Sequence, residues 1–396
     1  MNSVAPEERR KSLFVMVGDP SSDRNVARMI PELKKANPNL DVWGCGGSKM
    51  KAEGVEILHN CEDFTTIGIV EMIKRAGFFY ALQKELVEKI SERNPAAVLL
   101  VDMGTFNLTL SGVLRKKFPK LPILYFTSPQ VWGSRPWRIK TVKQNITKML
   151  VIFPFEVAIY RKHSVPVRFM GHPLLKNIPA PEDMPSKDEF CAKYKINPEK
   201  PIIAVFAGSR RREVSKFAPI ILGAIKTLLM DRNQLQFAFS TANDTLLENT
   251  KSEIAAHNMK ELIDQNLFLI SHDDNLNLIS ASDFVWAKSG TTTLEVTLFG
   301  KPMLLFYKVA WAEYAVYCAI KTINFIGMPN ILAGERVVPE LLQLDCRAEQ
   351  LVKYTKDLMN VPGMRADVSQ KLLQLRDQLG QGDYAVNLVE EIMAVI

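Results

Sequence analysis

Short, continuous apolar runs alternate with helix-patterned stretches along almost the whole chain, and this constrains the fold most. "SLFVMVG" (12–18), "LDVWGCGG" (40–47), "AAVLLVDMG" (96–104), "LPILYFTSP" (121–129) and "KMLVIFPF" (148–155) have strand length. Their apolar residues are consecutive rather than alternating, which marks strands buried on both faces of a parallel sheet. Between them lie helical patterns such as "ALQKELVEKISER" (81–93). The pattern breaks at 171–190, where Pro173, Pro179, Pro181 and Pro185 stand among mixed charges, as in a hinge or linker. It then restarts with "KPIIAVFAGS" (200–209), "LQFAFSTA" (235–242), "LFLISHD" (267–273), "DFVWAKS" (283–289) and "PMLLFYK" (302–308). The expected fold is α/β: two doubly wound, Rossmann-like domains over residues 1–175 and 176–396 with a ligand cleft between them. The tail beyond Glu340 reads as mostly helical. A single large α/β domain with a long insertion is the alternative, and it exceeds the usual size of one core.

The 396 residues are 47% hydrophobic and 23% charged, the balance of a globular protein with a full core. A formal net charge of +7 suits an anionic partner: nucleotide phosphates, phospholipid or nucleic acid. Nucleic acid fits worst, because no Lys/Arg run exceeds three residues and no recognition signature appears. The five cysteines are scattered, without a C-x-x-C pair, which excludes a disulfide framework and a structural zinc and points to a reducing compartment. The start, "MNSVAPEERRKSLFVMVGD", reads as a polar leader and first strand, too short in its apolar part for a secretory signal. No uncharged run approaches the roughly 18 residues of a membrane span, so the expectation is a protein in the cytoplasm or on a membrane surface.

Polar clusters sit where strands end. In "AKSGTTTLEVTLFGKPM" (287–303), Ser289, Gly290 and Thr291 fall between a strand and a helix that Gly300 closes. The first amides of a helix lack intrahelical partners, so such a start can hold a diphosphate. Glu295 follows Thr291 by four residues, one turn deeper on the same face, where a carboxylate can accept from two ribose hydroxyls; taken alone, a solvated helix carboxylate is the plainer account. "FAGSRRREV" (206–214) supplies a tight turn at Gly208 and Ser209 and then Arg210, whose guanidinium matches the oxygens of a leaving phosphate. Arg211 and Arg212 read as a solvated basic patch. In the first half, "GDPSSD" (18–23), "DMGTFN" (102–107), "SPQVW" (128–132) and "FPFE" (153–156) close four strands, with Asp19, Asp102 and Asn107 among them. "GHP" (171–173) marks the hinge, and a lone histidine such as His172 is more often structural.

"TSPQVWGSRPWRIK", "FPFE", "GHP", "AGSRRREV", "KSGTTTLE" and "MPNILAGERVVPELLQ" follow one another as in lipid-A-disaccharide synthases, a family that the chain resembles from Leu13 to about Gln343. The resemblance implies an inverting glycosyltransferase of the two-domain GT-B architecture, without a catalytic metal or other cofactor. Its donor would be a UDP-activated acylated glucosamine and its acceptor an acylated glucosamine 1-phosphate, met at the inner face of the cytoplasmic membrane. It implies leaving-group contacts from Gly208, Ser209, Arg210, Ser289, Gly290 and Thr291, ribose binding by Glu295, and Asn330 near the sugar or diphosphate. The chain departs from the family where G-E-x-S-G-D becomes Gly18-Asp19-Pro20-Ser21-Ser22-Asp23. It departs again where D-x-P-D-F-N becomes Asp102-Met103-Gly104-Thr105-Phe106-Asn107. Thr105, at the family's second aspartate, cannot accept a proton at neutral pH, so acceptor activation falls to Asp102, with Asp19 second. A UDP-sugar enzyme with another acceptor, such as a 2-epimerase, and a silent acyl-sugar-binding paralogue stay as alternatives. Oligomeric state is left open.

Residues 65–84, "TTIGIVEMIKRAGFFYALQK", mix Ile67, Ile69, Val70, Ile73, Phe78 and Phe79 with Lys74 and Arg75. This pattern suits shallow insertion at an anionic interface as well as a core helix.

Overall fold

The computed structural model describes residues 11–64, 76–133, 135–176, 178–179, 183–231, 234–380 and 382–396. The chain divides into two compact units, Met1–Pro173 with Leu379–Ile396, and Leu174–Gln378. The first holds a parallel sheet of β1 (Ser12–Val17), β2 (Asp41–Gly46), β3 (Glu56–Asn60), β4 (Ala97–Val101), β5 (Ile123–Phe126), β6 (Lys148–Val151) and β7 (Val167–Phe169). The second holds β8 (Ile202–Phe206), β9 (Gln236–Ser240), β10 (Leu267–Leu269), β11 (Phe284–Lys288), β12 (Met303–Tyr307) and β13 (Glu340–Leu342). The orders are β3-β2-β1-β4-β5-β6-β7 and β10-β9-β8-β11-β12-β13. Both follow the doubly wound order, which reverses beside its first strand: at β1/β4 in one unit and at β8/β11 in the other. Ligands in such sheets bind outside the carboxyl ends at these reversals.

Alternate residues of one strand enter different cores. Ile203 and Val205 of β8 join Phe284 and Trp286 in one cluster, while Ile202, Ala204 and Phe206 join Val285 and Ala287 in another. This is why the central strands read as unbroken apolar runs. In the first sheet Phe14 lies opposite Trp43, with ring centroids 5.0 Å apart. Next to them Gly44, at φ +149°, lies against Val15, where a Cβ would collide with the Val15 carbonyl.

The last segment differs from its sequence assignment. The helix Tyr384–Met393 belongs to the first unit, not the second. Leu388 and Ile392 enter the first core, and the Tyr384 ring stacks on Phe126 with centroids 6.2 Å apart. Arg168 bonds both Glu390 (2.8 Å) and Glu391 (3.0 Å), and Lys148 pairs with Glu391 at 2.6 Å. Nothing in residues 340–396 announces that return, because its partners are scattered along the first unit.

Residues 65–75, with Ile67, Ile69, Val70, Ile73, Lys74 and Arg75, lie outside the described residues. Phe78 and Phe79 follow in the helix Ala76–Arg93. Phe78 is 39% exposed, and Phe79 packs against Phe106 at 5.6 Å. Among the described residues no helix is long and apolar enough to cross a membrane.

Candidate active site

In the second unit a cavity of about 160 Å³ opens at the β8/β11 reversal, lined by Gly208, Ser209, Ser240, Thr241, Asn275, Lys288, Gly290, Thr291 and Thr292 among others. Gly208, two residues past β8, takes φ +133°, and a Cβ there would stand 2.5 Å from Glu213 Oε2, so only glycine fits this turn. The Ser209 amide donates to Glu213 Oε2 at 2.9 Å, and Lys288 Nζ pairs with Glu213 Oε1 at 3.0 Å. Burial pushes the Glu213 carboxyl up, but the Lys288 ammonium outweighs it and holds the carboxyl below its ordinary range. Arg210 is exposed immediately before the helix Arg211–Asp231.

Gly290 caps the helix Thr291–Leu298, and no side chain caps it. The helix dipole and the first amides thus present positive charge beside the Lys288 ammonium. Glu295 is half-buried one turn further on, outside the cavity lining. Two expectations need correction. The Ser289 amide is spent in the sheet, donating to the Phe306 carbonyl at 3.1 Å, so it does not join Gly290 and Thr291 at the cavity. Asn330 is fully buried. Its Nδ2 donates to the Val338 carbonyl and to Glu340 Oε1, both at 2.9 Å, and its Oδ1 accepts the Val337 and Val338 amides at 2.8 and 3.0 Å. All of its hydrogen-bonding capacity is used in pinning a loop, leaving none for a ligand.

In the first unit the β1/β4 reversal carries Asp19 and Asp102. Asp19 caps the helix Pro20–Ala27: Oδ1 accepts the Ser21 and Ser22 amides at 2.9 and 3.0 Å, and Oδ2 accepts the Ser22 hydroxyl at 2.6 Å. Asp19, second candidate for the base, is thereby committed as a cap. Asp102 and Met103 both take φ +48°, a strained conformation for residues with side chains, of the kind that gathers at functional sites. The kink is pinned because Asn107 Nδ2 donates to the Val101 and Asp102 carbonyls (3.1 and 2.9 Å) and the Tyr125 hydroxyl donates to the Asp102 carbonyl. Burial, and after it the like charge of Asp19, push the Asp102 carboxyl up to about 6. Thr105 is exposed, and its hydroxyl accepts from Arg138 Nη2 at 2.6 Å.

"SPQVW" and "FPFE" meet beneath this edge. Glu156 is 1% exposed; its Oε1 accepts from Trp132 Nε1 at 2.8 Å, and Ser128 bonds Tyr160 at 2.7 Å. Burial raises the Glu156 carboxyl to about 7. His172 is equally structural: burial lowers it to about 4, and its ring lies 4.9 Å from Phe153.

Sequence reading missed Lys288, Glu213, Ser240, Thr241, Asn275 and Arg138. Ser240 and Thr241 end β9 in "AFSTA", so extending the strand-end rule to every strand would have found them. The pairing of Glu213 with Lys288, 75 positions apart, has no local signal.

The Lipid-A-disaccharide synthetase family model matches residues 13–387. The chain is 32% identical over 382 residues to lipid-A-disaccharide synthase 1 of Legionella pneumophila (strain Paris), covering 96% of this chain and 97% of that one. It is also 32% identical over 384 residues to lipid-A-disaccharide synthase of Geobacter metallireducens, covering 96% and 95%. The fold resembles UDP-GlcNAc 2-epimerase from Neisseria meningitidis solved with UDP-GlcNAc, with TM-score 0.62 at 15% identity, covering 97% of this chain and 100% of that one. Both domains thus have the doubly wound form of GT-B enzymes, and the chain belongs to the lipid-A-disaccharide synthase family, the glycosyltransferases of lipid A synthesis.

Proposed function

We propose that the chain transfers an acylated glucosamine from UDP to an acylated glucosamine 1-phosphate, with inversion at the transferred sugar. The observation that carries this reading is the cavity at the β8/β11 reversal, where the Gly208 turn, the uncapped helix start at Gly290–Thr291 and the Lys288 ammonium converge. That set suits a diphosphate whose negative charge grows as the glycosidic bond breaks. Arg210, exposed at the same turn, adds a guanidinium to the leaving group, and Glu295 takes the ribose hydroxyls.

Asp102 is the base that removes the acceptor proton. Its carboxyl, raised to about 6, is ionised at neutral pH yet more basic than an ordinary aspartate, which is the tuning that general-base catalysis favours. Asp19 acts through its charge on Asp102. The protein works on the cytoplasmic face of the inner membrane, with the exposed Phe78 meeting the lipid.

UDP release should require both the sugar nucleotide and an acylated acceptor. Equal release with a non-acylated acceptor would favour a different transferase, and UDP binding without any release would favour a silent paralogue.

A further inference from the structure

Arg138 opens the helix Arg138–Asn145 and meets the start of the helix that follows β4. Its Nη2 donates to the Thr105 hydroxyl at 2.6 Å and its Nη1 to the Pro129 carbonyl at 3.3 Å. Both acceptors are neutral, and among the described residues no carboxylate forms an ion pair with this guanidinium. Burial first, and then the positive charge of Arg135, disfavour its charged form. Two cations close together, one half-buried and bonded only to neutral oxygens, leave an electrostatic demand for an anion. The guanidinium crosses the start of the helix Gly104–Lys117, which no side chain caps. A Cβ at Gly104 would stand 2.8 Å from Arg138 Nη1, so glycine there permits the close approach.

We propose that Arg138, backed by Arg135, forms a subsite for a phosphomonoester, the anomeric phosphate of the acceptor sugar; this rests on the glycosyl-transfer reading above. A guanidinium can present two parallel N–H donors to phosphate oxygens, a geometry that an ammonium lacks. The departure at Thr105 gains a purpose. An aspartate there would neutralise Arg138, whereas the threonine holds the guanidinium through a neutral bond and leaves its charge for substrate. The subsite lies next to the proposed base. The Tyr125 hydroxyl donates to the Asp102 carbonyl, and the charges of both Asp102 and Arg138 act on it.

The test is ligand-observed and phosphorus NMR titration of the full chain with glucosamine 1-phosphate, glucosamine, inorganic phosphate and dihexanoyl phosphatidic acid. Glucosamine 1-phosphate should bind, and Arg138→Met should weaken it by about tenfold or more, the loss of a charge-assisted bond. Glucosamine should bind wild type and variant alike. Inorganic phosphate and phosphatidic acid should compete only at about tenfold higher concentration; competition at equal concentration would overturn the sugar-phosphate assignment. Unchanged glucosamine 1-phosphate affinity in Arg138→Met, or no binding to wild type, would overturn the subsite. If Arg138→Met fails to fold, Arg138→Lys decides, since it keeps the charge and loses the fork; it must weaken glucosamine 1-phosphate selectively, and equal affinity overturns the proposal. Binding needs no turnover, so a chain that takes the sugar phosphate through Arg138 yet releases no UDP would sink the transferase reading alone.

Discussion

Lys288 Nζ lies 3.0 Å from Glu213 Oε1, each side chain about one-fifth exposed (19% and 20%), at the mouth of a glycine turn whose Ser209 amide binds the other Glu213 oxygen. One carboxylate therefore fixes both the turn and the only ammonium that lines the cavity among the described residues. Lys288→Met should weaken UDP binding by about 1.5–3 kcal/mol, the usual loss for a hydrogen bond to a charged group. Arg211→Ala, on an exposed neighbour, should change it little. Isothermal titration calorimetry with UDP checks both, and an unchanged Lys288→Met would take the ammonium out of the site.

Glu295→Ala should also weaken UDP, by about 1–3 kcal/mol, through loss of the bonds to the ribose hydroxyls. The comparison that isolates this is UDP against its 2′-deoxy form, which should bind the variant with nearly equal affinity. A variant that still prefers UDP as strongly as wild type does would remove Glu295 from the ribose.

The central strands were legible, because a strand buried on two faces must be apolar throughout, as β8 is and as β11 is up to Ala287. The edge strand β3 was not: its residues are half-exposed or exposed, so its sequence carries no apolar run. That Gly208 and Ser209 form a turn and that Gly290 and Thr291 open a helix was legible, because turn chemistry and helix starts are local. Asn330 misled because a polar residue in a family motif looks the same in sequence whether it faces a ligand or, as here, four protein groups. The Thr105–Arg138 contact joins segments 33 positions apart and could not be read locally.

Sequence alone suggests that Thr105→Asp would restore a base and raise the rate. The Arg138 contact argues otherwise. A carboxylate placed 2.6 Å from that guanidinium, where the hydroxyl now is, would be held ionised and weakly basic by the opposite charge. We expect no gain in kcat and a higher KM for the phosphorylated acceptor. Steady-state kinetics decide, and a kcat above wild type would show that Thr105 had vacated the base position.

Glu156 gives the first unit a pH-dependent stability. Burial raises its folded-state pKa to about 7, above its ordinary value of 4.5, so the folded state binds the extra proton between those values. The stabilising contribution of the neutral acid is full below about 4.5 and is lost as pH rises through 7. Glu156→Gln, which can still accept from Trp132, should flatten the fall in Tm between pH 5 and 8. A variant with the same pH slope as wild type would place the titration elsewhere.

The central claim is that Asp102 takes the acceptor proton, and the pH dependence of disaccharide formation tests it most directly. The base must be ionised, so kcat/KM in wild type should be level above about pH 6 and fall roughly tenfold per unit below it. Asp102→Asn should lower kcat by about 100- to 10,000-fold, with UDP affinity unchanged, and should abolish the acid limb. An Asp102→Asn enzyme as fast as wild type, with the same acid limb, would contradict the account.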